Sequence, residues 1–173
     1  MSTEARQMAV NEVDEFLAHE KRLIGSPPEW RKSTRGGELE ALWNIADELG
    51  VSSAHLRFRF VPTRRIYPSI SVIHRNQPVW RIDLAPPTLC KANPPFAAEM
   101  GMEPTVCGSH AHRWDDNRSH ILSQDVWDLP ARTSIQPQVR RIRQALAMLA
   151  EDINLTLEPY QRAFDEPAQG ELF

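Results

Sequence analysis

Leu56-Arg57-Phe58-Arg59-Phe60 and Trp80-Arg81-Ile82-Asp83-Leu84 decide the fold class of this 173-residue chain, because both alternate apolar and charged residues with a period of two. That period puts Leu56, Phe58 and Phe60 on one strand face and Arg57 and Arg59 on the other, and it separates Trp80, Ile82 and Leu84 from Arg81 and Asp83. A sheet with one apolar and one polar face is antiparallel and covered on one side. Strands are expected near 55–61, 69–74 and 79–84, joined as a meander, with Arg75-Asn76-Gln77-Pro78 reversing the chain between the last two.

Further along, Val106-Cys107-Gly108-Ser109-His110-Ala111-His112-Arg113-Trp114 predicts a strand near 106–114 on which His110 and His112 share a face. Between 86 and 104, Pro86, Pro87, Pro94, Pro95 and Pro104 break any regular ladder or long helix. The sheet therefore spans about 55–114 with an irregular excursion over 86–104, and the two ends of the excursion frame one pocket. Helical spacing of Val13, Phe16, Leu17 and Ile24 predicts a helix over about 3–24, stopped by Gly25-Ser26-Pro27-Pro28. Leu39, Leu42, Trp43, Ala46 and Leu49 predict a second over about 38–49, capped by Gly50. Ile135, Val139, Ile142, Leu146, Leu149 and Ile153 predict a third over about 135–153, with Ser134 as N-cap and Pro137 in the first turn, before a tail over 155–173. The expected architecture is α+β in a single domain, 1–173. It is an antiparallel sheet of about four or five strands, packed by two N-terminal helices and one long C-terminal helix.

With 41% hydrophobic and 25% charged residues, the chain has the composition of one soluble domain. No apolar stretch approaches the roughly 20 residues of a membrane helix, and Met1-Ser2-Thr3-Glu4-Ala5-Arg6 lacks the parts of a signal peptide, so a cytoplasmic protein with no membrane partner is expected. Cys90 and Cys107 form neither a disulfide framework nor a Cys-rich metal site, and the expectation is reduced, packed thiols. The net charge of -3 excludes no partner, but its distribution is uneven: residues 51–82 contain no acid. Arg57, Arg59, Arg64, Arg65 and Arg75 form a candidate anion-binding set for RNA or another nucleic acid, or for a protein partner, an antitoxin or an inhibited target.

The candidate catalytic set is His110, His112, Arg81 and Asp83. Without a metal, one imidazole removes a proton from a ribose 2′-hydroxyl, the other protonates the leaving oxygen, and Arg81 stabilises the phosphorane. With a divalent metal, His110 and His112 supply two ligands, and Asp83, His74, Asp115, Asp116 or His120 must supply the rest. The bland alternative pairs Arg81 with Asp83 on a merely polar strand face.

Arg81-Ile82-Asp83-Leu84-Ala85-Pro86-Pro87, a loop, and then Ser109-His110-Ala111-His112 resembles the core pattern of TumE-type proteins of bacterial toxin–antitoxin loci and related families. The match covers roughly residues 79–114; those proteins place a histidine just after the proline, where this chain has Thr88. The resemblance implies a small α+β protein of a toxin or mobile-element setting acting on RNA, with Arg81, Asp83, His110 and His112 as the shared polar set. Three readings follow: a ribonuclease or phosphodiesterase-type toxin, a phage or mobile-element inhibitor that docks through its arginine-rich sheet, and a metal-dependent hydrolase.

Overall fold

Ala41, Trp43 and Ile45 are at most 2% exposed whereas Leu42 is 52% exposed, so the stretch expected as a helix over 38–49 is a strand. Its apolar residues satisfy both a three-to-four spacing and strict alternation, and sheet neighbours on both sides select the second. The structure is a computed structural model that describes residues 2–34, 37–62, 68–124 and 126–167.

In chain order the described elements are α1 (Thr3–Ala18), β1 (Lys21–Leu23), β2 (Arg31–Lys32), β3 (Leu39–Asp47), β4 (Ala54–Phe60), β5 (Ser69–His74), β6 (Gln77–Asp83), β7 (Cys90–Ala92), α2 (Pro95–Glu99), β8 (Thr105–Cys107), β9 (His110–His112), α3 (Trp114–Ser123), β10 (Thr133–Ser134), α4 (Ile142–Asp152), β11 (Leu155–Thr156) and a 3-10 turn (Gln161–Ala163). The α+β class holds, but the sheet is larger than four or five strands: nine among the described residues, in the order β10-β9-β6-β5-β4-β3-β1-β11 with β2 beside β3. The additional strands other than β3 are two or three residues long, too short to carry a period. All pairings are antiparallel except β1 with β11.

One face of the sheet is the core. Leu56, Phe58, Ile70, Val72, Ile82 and Ala111 are fully buried there with Val10 and Val13 of α1 and Ile142, Leu146 and Leu149 of α4. Two expected helices shorten for tertiary reasons. α1 stops at Ala18 because Lys21–Leu23 pairs with β3 and β11. α4 starts at Ile142 with Arg141 as N-cap, because Thr133 and Ser134 pair with β9 and the Val139 carbonyl accepts the Ser109 hydroxyl at 2.6 Å. Lys21 closes this end of the core: its ammonium donates to the carbonyls of Leu17, His19 and Ile153, and burial pushes it down to about 8.

The excursion after Pro86 is not structureless. β7 pairs with β8, which sets Cys90 opposite Cys107, and the two are joined in a disulfide instead of packing as free thiols. The strand expected over 106–114 is split at Gly108, whose φ of +80° turns the chain from the β7–β8 ribbon into the main sheet, and Trp114 already begins α3.

His74 of β5 is 5% exposed and stacks on Phe16 of α1 at 4.7 Å. Burial, together with Arg75 and against Glu12, pushes it below the ordinary imidazole range, and burial does the same to His55. The neutral form is favoured in the folded state. Its stabilisation is therefore complete above the unfolded imidazole value of about 6.5 and is lost as pH falls through the lower folded value. Unfolding free energy is expected to fall as pH drops below the unfolded value of about 6.5 toward the lower folded value, with each group contributing a slope of at most about 1.4 kcal/mol per pH unit. His74→Phe should flatten the profile measured by denaturant unfolding; equal slopes for variant and wild type contradict this account.

Candidate functional site

The sheet's other face is polar and carries the four residues expected to act together. β6 pairs with β9 so that Arg81 lies opposite His112 and Asp83 opposite His110. Strand alternation turns all four side chains away from the core, whose side of the same strands holds Trp80, Ile82 and Ala111.

Each imidazole is fixed by a backbone carbonyl. His110 Nδ1 lies 2.8 Å from the Gly108 oxygen and His112 Nδ1 lies 2.6 Å from the Leu129 oxygen. A carbonyl only accepts, so in both rings Nδ1 carries the proton and, in the neutral ring, Nε2 carries a lone pair. Both Nε2 atoms face the same carboxylate oxygen, Asp83 Oδ2, at 3.4 and 3.5 Å. Two lone pairs and a carboxylate gathered at one point require a cation between them or a hydrogen bond from elsewhere. Arg81 supplies part of this: one Nη2 lies 2.6 Å from Asp83 Oδ2 and 3.2 Å from His112 Nε2. His110 Nε2 is left buried with no hydrogen-bond partner.

Burial and neighbouring groups shift both His112 and Asp83 downward. Burial pushes His112 below the usual imidazole range; Arg81 adds to this and Asp83 opposes it. Burial acts to raise the Asp83 carboxyl, but the His110 and His112 imidazoles that face it, and after them the charge of Arg81, outweigh burial and hold the group far below the usual carboxylate range.

The scaffold behind the imidazoles is equally specific. Gln138 Oε1 accepts the Ser109 amide at 2.8 Å, and the Ser109 hydroxyl meets the amide of Ala85 and the carbonyl of Val139. Asn117, fully buried, accepts the Ala131 amide and donates to the carbonyls of Ala131 and Arg113, which holds the segment that presents the Leu129 carbonyl. Asp83, His110 and His112 are the group of side chains among the described residues that could hold a metal ion, with their ligand atoms within 4.8 Å of one another. The other third-ligand candidates lie elsewhere: His74 is at the α1 end of β5, His120 pairs with Asp128 and stacks on Phe96, and Asp116 accepts the Thr133 hydroxyl. Asp115 lines a separate recess beside Arg113 and Asp152.

In front of Asp83 and His110 lies a cleft of about 700 Å³ lined also by Arg81, Ser69, Ser71, Arg57, Arg59, Leu89 and Lys91 among others. Arg57 and Arg59 of the candidate anion-binding set stand on its floor, but each is ion-paired, with Glu40 and Glu38 of the β3 region, acids outside the acid-free segment. Arg75 sits on the β5–β6 turn, away from the cleft, and pairs with Glu12 of α1 at 2.6 Å. Arg64 and Arg65 lie outside the described residues. Leu89 and Lys91 belong to the excursion expected to frame a pocket, whereas the Gly108 and Leu129 carbonyls and the Gln138 and Asn117 braces carry no sequence signal, since each depends on contacts between distant segments.

No family model, curated protein or solved structure matches this chain. Its functional reading therefore stands on the geometry of the site. Among the described residues no helix is long and apolar enough to cross a membrane.

A β-carbon added at Gly108 would come within 2.9 Å of Gln138 Cδ, at a backbone angle that side chains other than glycine adopt at a cost. Gly108→Ala should therefore cost about 1–3 kcal/mol of stability and shift the His110 side-chain resonances. An unchanged melting temperature with unchanged resonances would contradict the role given to this turn.

Proposed function

We propose that this protein is a metal-dependent hydrolase of anionic, phosphate-containing substrates, with Asp83, His110 and His112 as ligands to one divalent ion. The observation that carries the reading is the shared tautomer: two carbonyls hold both imidazoles with Nε2 lone pairs aimed at Asp83, and the buried His110 Nε2 has no partner. Two neutral imidazoles and one carboxylate are a donor set suited to zinc, iron or manganese. A divalent ion held there lowers the pKa of a bound water and polarises a phosphoryl oxygen.

The chain's own groups have separable tasks. The carbonyls of Gly108 and Leu129 fix the rings, and the depressed Asp83 carboxyl stays charged at neutral pH. Arg81, 42% exposed and lining the cleft, offers positive charge to an anionic substrate. Arg81 and Lys91, with Arg57 and Arg59 of the floor, set four cations at the cleft against Glu38, Asp83 and the Glu40 that holds Arg57, an excess of one positive charge that favours an anionic substrate.

The toxin-like ribonuclease implied by the TumE-type resemblance uses these same residues, with RNA as the substrate. In a cytoplasmic setting the Cys90–Cys107 pair would be held reduced. The metal-free acid–base pair is less favoured because both Nε2 atoms converge on one carboxylate oxygen instead of flanking a gap. The inhibitor reading is less favoured because Arg57, Arg59 and Arg75 already hold carboxylate partners.

Chelator-treated protein should bind one equivalent of Zn²⁺ or Mn²⁺ by calorimetry, and His110→Ala and His112→Ala should each weaken binding at least tenfold. Arg81→Gln removes the cation that competes for Asp83 and His112, so it should bind metal severalfold tighter while hydrolysing a phosphodiester substrate or RNA more slowly. Hydrolysis that survives complete metal removal, or histidine variants that bind metal like wild type, would overturn the proposal.

A further inference from the structure

The polar face continues past the triad, and its register brings one more cation into play. Thr133 lies opposite Ala111 and Ser134 opposite His110, so strand alternation puts Arg132, the residue before β10, on the polar face and in line with His112. On the other side of His112 stands Arg81, and beyond it Ser71 and Arg57, each pair set by the sheet register. Arg81 and Arg132 thus flank one imidazole from strands on either side of it, with Cα atoms about 10 Å apart by strand spacing.

Arg132 is held in this position chiefly through its backbone. Its amide donates to Asn93 Oδ1 at 2.9 Å and its carbonyl accepts Asn93 Nδ2 at 2.9 Å, which ties it to the β7–α2 wall. Its guanidinium has a single hydrogen bond, to the Pro130 carbonyl at 3.3 Å, and among the described residues it pairs with no carboxylate. The Nε atoms of both Arg81 and Arg132 are buried without a partner. Burial and the charge of Arg81 both weigh against the Arg132 cation, and Asp83 offsets them only in part. Beside His112 the register thus gathers two guanidinium ions against the one carboxylate of Asp83.

An unpaired, half-buried guanidinium is costly unless an anion completes it. We infer that Arg81 and Arg132 form a clamp for a tetrahedral phosphoryl group over His112, with Arg132 as the substrate-binding residue that the catalytic set lacked. This inference rests on the hydrolase reading for its place in a reaction, but not for the binding itself. The shared chemistry is the phosphoryl group; a monoester dianion and a nucleic-acid diester are its two sources.

The test uses two probes, inorganic phosphate and the tetranucleotide UUUU, titrated at low salt into the full chain, first metal-stripped and then loaded with one equivalent of Zn²⁺. Wild type should bind at least one probe, Arg132→Gln should bind it at least tenfold more weakly, and Arg132→Lys should recover part of the loss. Arg31→Gln, on the exposed β2, should bind like wild type. Tighter binding of phosphate assigns the clamp to monoesters, and tighter binding of UUUU assigns it to diesters. A measurement on wild type alone guards against misfolded variants: the Nε–H resonances of Arg81 and Arg132 should both shift on adding the probe that binds. The clamp is overturned if neither probe binds wild type in either metal state, if Arg132→Gln binds as tightly as wild type, or if those resonances stay still. Metal binding is read separately in the same titrations. Phosphoryl binding without metal binding leaves the clamp standing and removes the metal reading, and the reverse result removes only the clamp.

Discussion

Pairing of β6 with β9 places Arg81 against His112 and Asp83 against His110, and a slip of one residue along either strand would exchange these groups for Trp80, Ile82 or Ala111. A slip of β6 would bury a guanidinium and a carboxylate among the core residues and expose a tryptophan, and a slip of β9 would turn two imidazoles into the same core, so the core face enforces the register that the site needs. Stability and function are therefore tied through one ladder. Helices α1 and α4 cover one side of the sheet, and their absence from the other leaves the polar face free for a cleft.

The local chemistry follows from a small number of backbone groups. The Gly108 carbonyl belongs to the turn that leaves the β7–β8 ribbon, and the Leu129 carbonyl belongs to the segment pinned by Asn117. Both take the Nδ1 protons, which turns the Nε2 lone pairs toward Asp83 and creates the demand for positive charge that Arg81 only partly meets. The disulfide between Cys90 and Cys107 stands one residue from Gly108, so the wall of the cleft and the turn that orients His110 are joined covalently.

Much of this was legible in period-two patterns. Arg57 and Arg59, Arg81 and Asp83, and His110 and His112 all fall on the polar side that alternation assigned them, and the meander of β4, β5 and β6 matches its expected boundaries closely. Residues 39–47 misled because Leu39, Leu42, Trp43 and Ala46 fit a helical stripe, while the burial of Ala41 and Ile45 appears only once β4 lies alongside. The C-terminal helix was overextended because Ile135 and Val139 are buried by irregular backbone crossing the core rather than by a helical face. Neutralisation of Arg57 and Arg59 by Glu40 and Glu38 is hidden for the same reason: Glu40 lies on β3 and Glu38 just before it, in a stretch whose spacing also fits a helix. Arg132 had no local signal, since only pairing of the two-residue β10 places it beside the site.

The central claim is the protonation pattern of two rings, and long-range ¹H–¹⁵N correlation spectra of the histidine side chains at neutral pH read it directly. The account predicts that His110 and His112 are both Nδ1–H tautomers with unprotonated Nε2, and that both Nε2 resonances move together when one equivalent of Zn²⁺ is added. An Nε2–H tautomer or a doubly protonated ring at either position, or Nε2 signals indifferent to the ion, would contradict it.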